Sequence, residues 1–197
     1  MTTLFLLSPA RCGGPRAEQL MASRTAALGA ELRGDGAAIG DVFTWLSALY
    51  FRGKLAYART FAPEHTYVMA AGAGLVLPAT RIVARQLRAM GRVDVESAAF
   101  VLPLRRDAAA LRDHHGDTAR VVLLGSIATG KYIDTLLAVF GTQLVFPAEF
   151  VGRGDMSRGG LLLRAARDKS ELAYTPVLGA TLHGPRPPKL PAMARTS

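Results

Sequence analysis

The chain has one cysteine, one tryptophan and no apolar run near the roughly 18 residues that a membrane span needs. The lone Cys12 excludes an internal disulfide and fits a reducing, cytoplasmic setting. The apolar stretch LFLL near the start is only four residues long and follows no basic segment, so no signal peptide is expected. His65, His114, His115 and His183 show no ligand spacing with Cys12, so no metal site is expected, and nothing calls for another cofactor. A Ser-His-Asp hydrolase would need a G-x-S-x-G elbow, which the chain lacks. Acid is scarce too: 15 Asp and Glu stand against 24 Lys and Arg, a formal charge of +9. Such an excess favours polyanions, DNA above all, through counterion release. Twenty of the 24 cations are Arg in an Ala- and Gly-rich chain, a composition that GC-rich coding also produces. The excess forms no block; it is +4 over the first hundred residues and +5 over the rest.

Half of the 197 residues are apolar, enough for one domain with a real core. Strand-like and helix-like stretches alternate. Strands are expected at 3–8 (TLFLLS), 66–70 (TYVMA), 121–124 (VVLL), at LVF and over 172–177. Helices are expected at about 17–33, 42–61, 79–90, 104–115, from 131 to Phe140, and from about Gly160 to Asp168. This order predicts a single α/β domain over 1–182, with a mostly parallel central sheet flanked by helices. Residues 183–197, HGPRPPKLPAMARTS, form a proline-rich basic tail with the composition of a loosely ordered segment.

In parallel sheets, ligands bind where loops leave the carboxyl ends of strands. Four such loops carry glycine: residues 8–14, 71–74, 125–131 and 152–160. If they share an edge, their backbone N–H groups line a crevice suited to phosphate or sugar. The third loop, in VVLLGSIATGKY, has the P-loop spacing G-x-x-x-x-G-K from Gly125 to Lys131. Tyr132, however, replaces the Ser or Thr that ligates magnesium, and the next strand, LVFP, ends in proline where a metal-binding aspartate is needed. A glycine-rich strand-to-helix turn, with Lys131 as counter-ion to a phosphate, accounts for the motif more simply. A nucleotide enzyme using Lys131 is the alternative.

Three stretches also carry a family likeness: LLSPARCGG; LYFRGKLAYARTFA followed by YVMAAGAGLVLP; and LLGSIATGKYIDTLL with VFPAEFVGRGDMSRGGLLLR. In order and spacing this resembles the YaaA-type peroxide-stress proteins and their small relatives, over roughly residues 3–165. The resemblance implies a basic-cleft α/β protein that engages DNA. More distantly, the layout is similar to α/β enzymes acting on nucleobase–sugar bonds, including DNA glycosylases that excise modified bases from phage DNA. That analogy implies a role in defence or repair.

Base excision passes through a cationic sugar, so it needs a carboxylate or polarised water nearby, a group to stabilise the leaving base and a pocket for a flipped nucleotide. Asp155, between Arg153 and Arg158 in GRGDMSRGG, is the candidate carboxylate; the arginines would hold phosphates. A loop aspartate paired with its neighbours to fix the loop's shape is the other reading. Tyr50 and Arg52, in an aromatic–cationic stripe with Phe51 and Tyr57, are candidates for stacking on a base and touching its phosphate. Aromatics at this spacing also serve as core. Ser8, Arg11, Gly74, Gly125, Lys131 and Tyr132 are placed along the crevice as substrate contacts, and Cys12 is read as a small buried residue. The sequence therefore predicts a DNA-binding glycosylase. The alternative is a non-catalytic DNA-binding stress-protection protein.

Overall fold

The computed structural model describes residues 1–127, 131–180, 184, 185, 187, 188 and 190, with Lys131 described by its backbone alone. Along the first half run β1 (Thr3–Leu7), α1 (Pro15–Ala22), α2 (Ala27–Arg33), β2 (Ala37–Ala38) and α3 (Ile39–Phe61). There follow β3 (Thr66–Ala70), β4 (Gly74–Val76), β5 (Arg81–Ile82), α4 (Ala84–Met90) and α5 (Ala98–His115). The last elements are β6 (Arg120–Leu124), α6 (Lys131–Phe140), β7 (Leu144–Pro147), α7 (Asp155–Arg167) and β8 (Tyr174–Pro176). The two most apolar runs, LFLL and VVLL, become neighbouring central strands. Leu4 to Leu7 and Val121 to Leu124 are without solvent exposure, as continuous apolar strands covered on both faces should be.

The main sheet has the order β4-β3-β1-β6-β7-β8. Its four inner strands are parallel, with Leu4 opposite Val121 and Phe5 opposite Thr66, and the two edge strands run antiparallel. The expected α/β architecture, a single domain with a mostly parallel sheet, is therefore present. Going from β1 to β3 the chain moves one way along the sheet, and from β3 to β6 it moves the other way. Right-handed crossovers then place α3 and α5 on opposite faces. Accordingly α3 packs on α7, β1 and β3, while α5 packs on α6 and β4. The connections after β1 and β6 part from each other, which makes this the switch point where a crevice opens.

Local boundaries differ from the sequence reading where side chains compete with the helix. The helix expected over 17–33 is two, because Ser23 Oγ accepts the Ala26 N–H at 3.1 Å and turns the chain. Helix α5 begins six residues early and keeps Pro103 in its interior. Helix α7 starts at Asp155, five residues before the expected Gly160, so Gly159 and Gly160 both lie inside it.

Helix α3 is broken at Ala48, whose φ of 46° and ψ of −121° belong to a glycine conformation. The break turns the Leu49 carbonyl toward Gly159, where a Cβ would lie 2.6 Å from that oxygen. An L side chain at this backbone carries strain of about 1 kcal/mol or more. Ala48→Gly is therefore expected to stabilise the protein by about 1 kcal/mol. A thermal melt checks it, and a lowered midpoint would show that the kink relaxes without glycine.

Candidate functional site

A crevice of about 620 Å³ opens at the switch point. The loop after β1 contributes Ser8, Pro9, Ala10 and Arg11 to it, and the loop after β6 contributes Ser126. From the helices come Ser47, Tyr50 and Lys54 of α3, Tyr132 of α6, and Asp155 with Met156 of α7. Thus Ser8, Arg11, Tyr50, Tyr132 and Asp155, which come from four separate stretches of sequence, line one cavity.

The floor is built by close approach. The Ser8 N–H donates to the Leu124 carbonyl at 3.1 Å, continuing the pairing of β1 with β6 by one residue. Opposite it lies Gly125, where a Cβ would be 2.8 Å from both Ser8 Cβ and the Tyr132 hydroxyl. Any side chain at 125 would push these two groups apart, so Gly125 shapes the crevice without lining it. Tyr132 donates its hydroxyl to the Ser126 carbonyl at 3.1 Å. Burial raises the pKa of this phenol, and the nearby Ser8 hydroxyl opposes the shift.

Lys54 was not anticipated. Its side chain is buried against two rings, with Nζ 4.4 Å from the Tyr50 centroid and 4.9 Å from that of Phe51. Nζ also lies 3.0 Å from the Ser8 carbonyl oxygen and 2.9 Å from Ser8 Oγ. Burial pulls the amine down to about 7; Asp155 works against this and Arg158 adds to it. The available signal was its spacing. Lys54 stands four residues after Tyr50, in an apolar segment, and is one of only four lysines in the chain.

Helix α7 brings the remaining charges. Arg158 is nearly covered, donates to the Phe150 carbonyl at 3.2 and 3.1 Å, and stacks 5.4 Å from that ring. Its Nη1 lies 3.7 Å from Asp155 Oδ1, but Asp155 is 69% exposed and Arg158 only 11%. Asp155 is therefore a rim carboxylate, loosely paired with Arg158 in the first turn of α7. The Tyr50 hydroxyl is buried without a hydrogen bond among the described residues. Burial raises its pKa, and the charge of Arg158 opposes the shift.

Several nominated residues stand elsewhere. Gly74 opens β4 just after the β3–β4 turn with φ +84°, pressed against the Asp107 carboxylate that accepts the Leu75 N–H at 2.9 Å. It closes a turn toward the sheet edge and does not reach the crevice. Arg52 is exposed on α3, outside the lining set. Arg153 donates to the Glu149 carbonyl at 3.0 Å, to Ser157 Oγ at 3.2 Å and to the Pro188 carbonyl at 3.4 Å, so it braces the loop and tail. It lines a neighbouring cavity of about 640 Å³ that shares Asp155 and Met156 with the crevice. The Lys131 side chain, Gly130 and most of the tail lie outside the described residues. Cys12 is buried, with its thiol on the Ala10 carbonyl at 3.4 Å and burial pushing it up to about 12. Among the described residues no group of His, Cys, Asp and Glu is placed to hold a metal, and no helix is long and apolar enough to cross a membrane.

The arrangement presents one carboxylate and one exposed guanidinium at the mouth, and an amine–hydroxyl pair on the floor. Comparisons with protein-family models, curated proteins and solved structures found no match, so the resemblance to YaaA-type proteins rests on the quoted stretches alone.

Proposed function

We propose that the protein binds DNA, takes one flipped nucleotide into the switch-point crevice and hydrolyses its base–sugar bond. The observation that carries this reading is Asp155, the only carboxylate among the described lining residues, standing on the rim of a cavity that also holds Arg11, Tyr50 and Tyr132. A volume of about 620 Å³ falls in the range of small-molecule pockets, and a nucleotide is a ligand of that class. The formal charge of +9, carried mostly by arginines, supports backbone contact along a duplex on either side of the crevice.

In this reading the C1′–N bond breaks with its electron pair leaving on the base, and water adds to C1′. Asp155 stabilises the cationic sugar or takes the proton from that water. Arg11 at the mouth meets a phosphate oxygen. Tyr50 and Tyr132 wall the cavity with rings against which a base packs.

The test is an abasic-site assay on plain, damaged and naturally hypermodified phage DNA, followed by alkali to cut where a base is missing. Strand breaks confined to one DNA are expected, and Asp155→Asn is expected to reduce them by about 10²–10³-fold with DNA affinity kept. Base release by Asp155→Asn at the wild-type rate would remove Asp155 from the chemistry. Binding with a steep salt dependence and no breaks on any DNA would leave the protein a non-catalytic DNA-binding one.

A further inference from the structure

We propose that Ser8 is a nucleophile with Lys54 as its general base, able to form a covalent acyl-enzyme with anionic carboxylic esters entering the crevice. The inference does not rest on base excision, since the pair needs no nucleic acid and its test uses none.

The geometry is that of an activated hydroxyl. Ser8 Oγ and Lys54 Nζ are 2.9 Å apart, within proton-transfer reach. Nζ has a second contact, 3.0 Å from the Ser8 carbonyl oxygen. A neutral amine satisfies both by donating one N–H to the carbonyl and accepting the hydroxyl proton of Ser8. The Tyr50 and Phe51 rings cover the amine and keep bulk water from it. The charged groups facing it are Asp155 and Arg158 of α7, which act in opposite senses. Tyr50 on its own helix and Tyr132 on α6 hold their protons well past neutral. Burial leaves Lys54 poised at about 7, the value a general base needs near neutral pH.

Position completes the case. Ser8 is the first residue beyond β1, at the carboxyl edge of the sheet, and it lines the crevice together with its base. Arg11, three residues on, is exposed in the same lining and has no hydrogen bond or ion pair among the described residues. That free guanidinium selects an anionic substrate.

The steps balance. Ser8 Oγ attacks the ester carbonyl carbon as its proton passes to Lys54, and the tetrahedral intermediate expels the alkoxide, which takes the proton back from the Lys54 ammonium. Water then attacks the acyl-Ser8 carbonyl, giving its proton to Lys54, and Ser8 leaves with that proton as the free acid departs. No further reactant is required.

A fluorophosphonate probe tests the pair directly, because serine attack on phosphorus expels fluoride and leaves a stable adduct. Intact mass and a peptide map of the full chain are expected to show one adduct, on Ser8. Its rate should climb about tenfold per pH unit and level off above about 7. Ser8→Ala should give no adduct, and Lys54→Met one formed about 10²–10⁴-fold more slowly. Absence of a Ser8 adduct in the wild-type protein at pH 8.5 overturns the proposal, as does equal labelling of Lys54→Met. Should that variant not fold, the wild-type profile decides: a plateau near neutral supports the pair, and a rate still climbing past pH 9 overturns it. Faster turnover of an aryl hemisuccinate than of the aryl acetate, lost in Arg11→Ala, supports the anionic preference, and equal rates overturn it.

Discussion

Raising the pH from 6 to 8.5 should stabilise this protein by about 2 kcal/mol through one residue, Lys54. In the unfolded chain the amine keeps its ordinary value of 10.5, and in the folded protein burial holds it at about 7. Between those values the unfolded state binds more protons than the folded state, so stability rises with pH. The contribution is complete above 10.5 and is lost as the pH falls through 7, a span worth roughly 4–5 kcal/mol in all. About 2 kcal/mol of it falls between pH 6 and 8.5, which in a protein of this size moves the thermal midpoint by about 4–8 °C. The buried acids work the other way, but only at higher pH. Cys12, raised from 9.0 to about 12, begins to erode stability near 9, and Tyr50 and Tyr132 do so above their ordinary 10.0. His115 is lowered by burial, with His114 and His65 adding to the shift, and its loss of stability at low pH is common to any Lys54 variant. The measurement is therefore a difference: thermal melts of wild type and Lys54→Met at pH 6, 7.5 and 8.5. A wild-type profile parallel to that of the variant would mean that Lys54 stays charged in the folded protein, and the base assigned to Ser8 would go with it.

The part of this site that was legible in the sequence is the part dictated by the sheet. Apolar runs such as LFLL and VVLL have one comfortable place, the middle of a parallel sheet, and parallel strands bring their carboxyl ends to one edge. Ser8, Arg11, Tyr132 and the glycine at 125 follow from that rule. Gly74 also follows a strand, but its positive φ belongs to a reversal into an antiparallel edge strand, and a glycine alone does not reveal which way a turn leads. Lys54 was illegible for another reason. In sequence it is one more cation beside Arg52 on a long helix. The contacts that bury Lys54 are long-range, with Ser8 beyond β1 and, beside it, the crossing of α3 over α7 where Gly53 meets Gly159, and the spacing from Tyr50 does not reveal them. Likewise Arg153 and Arg158 look equivalent around Asp155, yet Arg153 braces the loop and tail while Arg158 turns toward Phe150 and Tyr50.

That crossing can be tested with two adjacent glycines of the same helix, which should respond in opposite directions. A Cβ on Gly159 would lie 2.6 Å from the Leu49 carbonyl oxygen and 2.8 Å from Tyr50 Cα, and one on Gly53 would lie 2.5 Å from the Gly159 carbonyl. These neighbours are backbone, so they yield only if the helices separate. A Cβ on Gly160 would meet nothing nearer than Leu190 Cδ1 at 3.7 Å, an ordinary contact. Alanine gains up to about 1 kcal/mol over glycine in a helix interior, and at 160 little opposes that gain. Gly160→Ala is thus expected to stabilise by about 0.5–1 kcal/mol. At 159 the overpacking outweighs the propensity, and Gly159→Ala is expected to destabilise by about 2–3 kcal/mol. Function should follow the same divide. Gly159 sits one turn beyond Asp155 and directly against Tyr50, so parting the helices moves the carboxylate from the rim and admits water to Lys54. The pH-dependent gain in stability should shrink in Gly159→Ala as Lys54 returns toward its solvent value, and remain whole in Gly160→Ala. Equal effects of the two substitutions would show that α3 and α7 do not cross at these glycines, and the enclosure of the amine would need another cause.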